Sequence, residues 1–295
     1  MTSPSTSARP ALAALVLLTA IWSYNWIVMK QALAYAGPFE FSALRYAFGT
    51  LVLFAALLLR GESLRPPPLL PTALIGLAQT MGFQLLVQTA LVAGGAGRTA
   101  LLAYTMPFWV VLLGWLLFRE RPGPRLWFGL AVAAGGLLLV LEPWLGFGGA
   151  GSSFLALAGG LAWALGVVLS KRLFARGGVS ALSLTAWQMA IGTLGVVLVA
   201  LAVPERAIEW SGYFIAALVY NAVLASGLAW LMWSYVVARL PASTAGLSSL
   251  AIPIAGVGLA WALLGERPDA TEGIGVGLIA LALGIVTLRR APGAG

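Results

Sequence analysis

A chain of 295 residues that is 61% hydrophobic and only 9% charged cannot cover a water-soluble fold of its length with polar groups, since soluble domains run nearer ~45–50% apolar and ~25% charged. The formal net charge is +8, yet Lys and Arg stand singly between apolar runs and not in a stripe, which excludes nucleic acid as a partner. With no cysteine and no histidine, disulfides, thiol chemistry, Cys- or His-based metal sites and a histidine base are excluded too, and no cofactor is implied.

Residues 1–10 are polar and lack a basic stretch leading to a small-residue cleavage site, so the first apolar run is expected to be a retained helix and not a signal peptide. A hydrocarbon core of ~30 Å takes about 20 residues per helix. On that measure ten runs follow one another: 11–35, 39–59, 69–93, 97–118, 124–141, 153–171, 182–203, 212–238, 242–264 and 271–288. They predict an all-α integral membrane protein of ten transmembrane helices with short connections. One side of the membrane collects Arg9, Arg60, Arg65, Arg119, Arg121, Arg125, Lys171, Arg172, Arg176, Arg239, Arg289 and Arg290, and the other Lys30, Arg98, Arg206 and Arg267. Arg45 falls inside the second span and is left out of this count. The bias of twelve to four predicts cytoplasmic termini in a bacterial-type inner (plasma) membrane. Contact of these bases with anionic lipid is its secondary consequence.

The two halves match when laid over each other. Pro107 and Glu120–Arg121–Pro122 precede Pro253 and Glu266–Arg267–Pro268 by 146 residues, and Trp115 precedes Trp261 by the same number. Trp22 with Lys30 matches Trp163 with Lys171, and Gly49–Thr50–Leu51 matches Gly192–Thr193–Leu194. Five spans per repeat is an odd number, so the copies, residues 1–145 and 146–295, are expected to cross the membrane in opposite senses. Inverted repeats of this kind place a transport site near the midplane where they meet.

These residues resemble the EamA-type, ten-helix branch of the drug/metabolite transporter superfamily. Each copy has a Trp-containing first helix ending in Lys, a proline-broken fourth helix, and a Glu-Arg-Pro turn before a Gly-rich fifth helix. The likeness spans nearly the whole chain. Length and aromatic content are most similar to the YddG-type exporters, which implies export of aromatic and other amino acids by alternating access. One departure is Ser23 and Tyr24 after Trp22, where small residues are common in the family. Bulk there is expected to narrow or reshape the cavity.

Polar side chains inside a bilayer usually face the bundle interior or water. Thr80, Gln84 and Gln88 share one face of the third span, and the repeat maps them onto Ser226, Trp230 and Ser234. Lining a path and bonding helix to helix are the two readings of this stripe. Trp22 and Trp163 lie too deep in their spans for an interfacial belt, and are expected to wall the cavity. Tyr104 and Ser248, just ahead of Pro107 and Pro253, are further candidates. The two prolines free carbonyls at Ala103 and Ser249, which suits a hinge as well as a packing kink. Lys30 and Lys171 end pseudo-equivalent helices and serve either as snorkelling anchors or as gates. Gly273 and Gly277 form a GxxxG pair that suits close packing within the chain or between copies; the oligomeric state is not legible.

All nine acids, Glu40, Glu62, Glu120, Glu142, Glu205, Glu209, Glu266, Asp269 and Glu272, fall at helix ends or in loops. Proton-coupled carriers and exporters of polyaromatic cations use a mid-span carboxylate, so the expected substrate is neutral or zwitterionic. Its carboxylate would meet Gln84 or Ser248, and its amino group the freed carbonyls. Amino acids or similar small metabolites fit best. A carrier of nucleotide sugars or drugs is the alternative, with too few inward bases for phosphates. An intramembrane enzyme lacks any catalytic constellation.

Overall fold

The computed structural model describes residues 8–119, 122–141 and 150–287, and every regular element among them is helical. In chain order the first half runs α1 (Ala8–Ala32), α2 (Pro38–Leu59), α3 (Leu69–Ile75), α4 (Phe83–Ala93), α5 (Ala96–Ala103), α6 (Met106–Phe118) and α7 (Pro124–Leu141). The second runs α8 (Ala150–Ala175), α9 (Ala181–Ala202), α10 (Gly212–Tyr220), α11 (Ala229–Arg239), α12 (Ala242–Ser248), α13 (Ala251–Leu264) and α14 (Ala270–Thr287). π-Helical turns at Gly76–Gly82 join α3 to α4, and others at Asn221–Leu228 join α10 to α11, so each pair makes one continuous rod.

Seven stretches are long and apolar enough to cross a membrane: Ala13–Ala32, Pro38–Leu59, Leu69–Ala93, Ala96–Leu117, Gly151–Ala175, Ala181–Ala202 and Gly212–Arg239. Three shorter apolar helices accompany them, Pro124–Leu139, Ala251–Leu264 and Ala270–Ala282. The expected run 242–264 is divided, because the chain leaves the α-helix between α12 and α13 at Ser249–Leu250. Glu120, Arg121, Glu142, Arg289 and Arg290 lie outside the described residues.

Local chemistry sets the helix ends. Pro38 opens α2, where its missing N–H costs nothing. Ser180 and Ser211 cap α9 and α10 by accepting from the Ser183 and Phe214 amides. Gly265 ends α13 at φ 71°, a left-handed conformation that glycine adopts without Cβ strain. The outer surface is apolar: Leu51, Leu59, Phe154, Leu198 and Leu201 are among the exposed side chains, Leu59 at 89%. In water such a surface would aggregate; in lipid it is the required exterior.

Small residues bring backbones together around the interior. A Cβ added at Gly192 of α9 would stand 2.5 Å from the Gly76 carbonyl, so α9 lies directly on the π-helical turns after α3. Thr50 of α2 and Thr193 of α9 place their hydroxyls 3.4 Å apart. On the periphery α7 packs on α14 where Gly136 faces the Gly275 carbonyl, 2.6 Å from an added Cβ. Gly273 and Gly277 meet nothing within 4 Å, so this contact uses the intervening glycine and not the GxxxG pair.

Candidate substrate cavity

A small cavity of about 30 Å³ lies among α1, α2, α4, α8, α11 and the break after α5; it is well below the ~300–1,000 Å³ usual for small-molecule sites, so its walls stand nearly closed on one another. Its walls are Trp22, Asn25, Trp26 and Met29 of α1, Arg45 and Tyr46 of α2, and Phe83, Gln84 and Val87 of α4. Tyr104, Trp163 of α8 and Trp230 of α11 complete it.

Trp163 is the centre of the aromatic wall. Its ring centroid lies 5.6 Å from Trp22, 5.1 Å from Phe83, 5.1 Å from Tyr104, 5.9 Å from Trp230 and 5.3 Å from Trp233. Most of these pairs are edge-to-face, which sets the positive edge of one ring against the negative face of the next. The indole N–H of Trp22 donates to the Ala225 carbonyl at 3.0 Å, in the π-helical turns before α11. An i→i+5 pattern shifts carbonyls from their usual partners, and here one of them orients a wall residue.

Of the residues singled out in the sequence, Trp22, Gln84, Tyr104, Trp163 and Trp230 line this cavity. Gln84 accepts from the Tyr46 hydroxyl at 3.1 Å and donates to Ser42 at 3.1 Å, so its amide is held in place. Thr80 is buried behind the wall and donates to Gln188 at 2.8 Å. Ser226 is buried there too and accepts from Arg45 Nε at 3.2 Å. Both hydroxyls bond helix to helix, the second of the two readings of their stripe. Gln88 is buried with neither amide atom partnered, and it stands outside the cavity lining. Ser248 is half-buried at the end of α12 and also outside the lining. Ser23 points inward and donates to the Ile252 carbonyl at 3.0 Å. Tyr24 is 42% exposed and packs on Tyr220; the expected narrowing does not arise, because one step along a helix turns a side chain through ~100°.

Pro107 sits in the first turn of α6 and Pro253 in that of α13. The breaks they impose are closed by tight bonds, Thr105 N and Oγ1 to the Leu102 carbonyl and Ser249 N and Oγ to the Gly246 carbonyl. Lys30 Nζ donates to the Leu91 and Gly94 carbonyls at 2.9 and 2.8 Å, and Lys171 Nζ to those of Val237 and Leu240 at 3.1 and 2.8 Å. Each lysine thus neutralises the negative end of a helix, α4 or α11, in its own half. Two acids make contacts between the halves at helix starts. The Glu205 carboxylate accepts from the Phe39 amide at 3.1 Å through both oxygens and from the Glu40 amide at 2.7 Å, at the start of α2. Glu266 accepts from Ala96 and Gly97 at the start of α5, both at 3.3 Å.

Sequence reasoning passed over Asn25, Trp26, Met29, Arg45, Tyr46, Phe83 and Val87. A signal for the first three existed: Trp22, Asn25, Trp26 and Met29 recur at i, i+3, i+4 and i+7, one helix face. Arg45 carried a stronger one, an ionisable residue inside a span.

Membrane-length helices around an internal cavity with a few convergent polar groups define a membrane transporter for a small molecule. The sequence profile of the EamA-like transporter family matches residues 9–142 and again 151–288, and the chain belongs to that family. A protein called uncharacterized transporter YoaV, from Bacillus subtilis, is 24% identical over 92% of this chain and 94% of its own length. A probable amino-acid metabolite efflux pump of Salmonella typhimurium is 28% identical over 90% of each chain. One solved crystal structure superposes with a TM-score of 0.73 at 25% identity, covering 95% of this chain and 96% of that one.

Proposed function

We propose that the protein exports amino acids, aromatic and other, across a bacterial inner membrane by alternating access between two inverted five-helix repeats, residues 1–145 and 146–295. The observation that carries this reading is the aromatic cavity. Flat rings on several sides offer broad apolar contact that tolerates many side chains, and Gln84 and Asn25 supply polar ends. The efflux-pump relative at 28% identity points the same way.

The repeat reading draws support from matched details. π-Helical turns occupy Gly76–Gly82 and Asn221–Leu228, the helix breaks follow Ala103 and Ser248, and the lysine caps close α4 and α11. Counting the broken α12–α13 pair as one span, with α7 and α14, gives ten. Pro107 and Pro253 act as hinges where the α-helix is already interrupted. Lys30 and Lys171 hold one rod of each half while Glu205 and Glu266 close the seam between halves on the face opposite the termini. Substrate contacts fall to Trp22, Gln84, Tyr104, Trp163 and Trp230.

Uptake of labelled amino acids into liposomes containing the pure protein tests the reading. Saturable transport of phenylalanine and leucine is expected without an imposed proton or sodium gradient, because no carboxylate lines the cavity. No transport of any amino acid would refute the substrate class, and a strict need for a proton gradient would refute the uncoupled mechanism.

A further inference from the structure

Arg45 is 2% exposed within α2 and lines the cavity. Its Nε donates to Ser226, its Nη1 lies 2.7 Å from Met29 Sδ, and its guanidinium stands 4.9 Å from the Tyr46 ring centroid. None of these partners carries charge, no Asp or Glu lines the cavity, and Arg45 makes no ion pair among the described residues. A buried, uncompensated cation is costly and persists only where something repays it.

Holding the helices together does not require that charge. The offset of 143 residues that aligns Gly49 with Gly192 aligns Arg45 with Gln188, and the offset of 146 aligns Thr80 with Ser226. The Arg45–Ser226 bond therefore has a counterpart, the Thr80–Gln188 bond, in which a neutral amide makes the same bridge between an equivalent pair of helices. Glutamine suffices on one side, so the positive charge on the other serves the cavity. A guanidinium presents a planar fork that matches a carboxylate through two parallel bonds. Met29 sulfur is a weak acceptor that a carboxylate oxygen displaces readily. Asn25 Oδ1, buried in the same wall without a donor, supplies an acceptor for an ammonium group.

We propose that Arg45 is the anchor for the carboxylate of the transported molecule, and that the cavity selects monocarboxylates, zwitterions included, over amines of the same shape. The choice of amino acids as the zwitterions rests on the export reading above; the carboxylate anchor does not.

The test measures binding to the protein in lipid nanodiscs by quenching of its tryptophan fluorescence. The probes are phenylalanine, 3-phenylpropionate and phenethylamine, which share one ring and differ only in charged groups. Wild type is expected to bind both carboxylates more tightly than phenethylamine. Arg45→Gln, which copies the residue at the equivalent position, is expected to weaken both carboxylates by about ten-fold or more while leaving phenethylamine unchanged. Thermal melting checks the fold; should R45Q not fold, Arg45→Lys decides, with carboxylates weakened several-fold because the fork is lost. Equal carboxylate binding by wild type and variant overturns the anchor and leaves amino-acid export standing. Binding of 3-phenylpropionate through Arg45 with rejection of phenylalanine keeps the anchor and refutes amino-acid export. No carboxylate binding by wild type overturns the anchor.

Discussion

Glu205 closes the seam between the halves by accepting from two amides at the start of α2, and its removal tests whether that seam is a gate. The fit is close: a Cβ added at Gly37 would lie 2.2 Å from Glu205 Cδ, so no other residue at position 37 leaves the carboxylate in place. A bond from an amide to a charged acceptor contributes about 1.5–3 kcal/mol. Glu205 is only half-buried, so water replaces part of what two such bonds supply, and Glu205→Ala should cost the closed state about 2 kcal/mol. At 1.4 kcal/mol per factor of ten, that raises the open population about 30-fold. The natural chain has no cysteine, so one cysteine at Gln84, inside the cavity, reports alone. A membrane-impermeant maleimide added on the face opposite the termini should label it faster in the Glu205→Ala background by roughly that factor. Glu205→Asp, shorter by one methylene, should fall between. An unchanged labelling rate in a folded Glu205→Ala protein would refute a gating role and leave the carboxylate as a simple helix cap.

The remaining predictions concern the cavity, the topology and the core. Single cysteines at Gln84 and Trp230 should react with a water-soluble thiol reagent and be protected by substrate. Cysteines at Thr80 and Ser226, which lie behind the wall, should stay slow, and fast reaction at those two would mean that the wall is misassigned. Reporters fused at Gly295 and between residues 119 and 125 should both read as cytoplasmic; a periplasmic signal from either overturns the orientation. Trp163→Ala removes the ring that five others touch. The adjoining cavity lets water or lipid fill part of the void, so the loss should lie near the lower end for such truncations, about 3 kcal/mol. It would be seen as a lowered melting temperature in detergent, and an unchanged melt would show that the cluster is not a support.

Helix positions were legible because lipid imposes one rule on long apolar runs, and Pro, Gly and charges punctuate them where that rule ends. Trp22 and Trp163 could be placed in the interior from depth alone. The stripe Thr80–Gln84–Gln88 was only partly legible. Its spacing assumes an ideal α-helix, but Thr80 lies in π-helical turns while Gln84 and Gln88 lie in α4, so one face of the ideal wheel is not one face of the rod. Arg45 was missed for a different reason. Counting charges by loop treats a mid-span base as an exception to orientation, and only its neighbours reveal that no acid stands opposite. Tyr24 was given a place in the cavity by its proximity to Trp22 in sequence, although adjacent residues on a helix look in different directions.

The π-helical turns have a geometric consequence of their own. Bonding each amide to the fifth residue back, and not the fourth, takes up an additional residue without lengthening the rod by a full helical step. Everything beyond those turns is therefore rotated by about 100° against the phase that the first part of the helix would dictate. Phe83, Gln84 and Val87 in one rod, and Trp230 and Trp233 in the other, owe their inward aim to that surplus residue. Only with one residue lost could Gly76–Gly82 close into regular α-helix and keep that aim; with all its residues kept in such a helix, the rod would be apolar and membrane-length but its far end would face the wrong way. The chain would still look like a transporter by every measure of hydropathy, with its cavity wall turned toward the lipid.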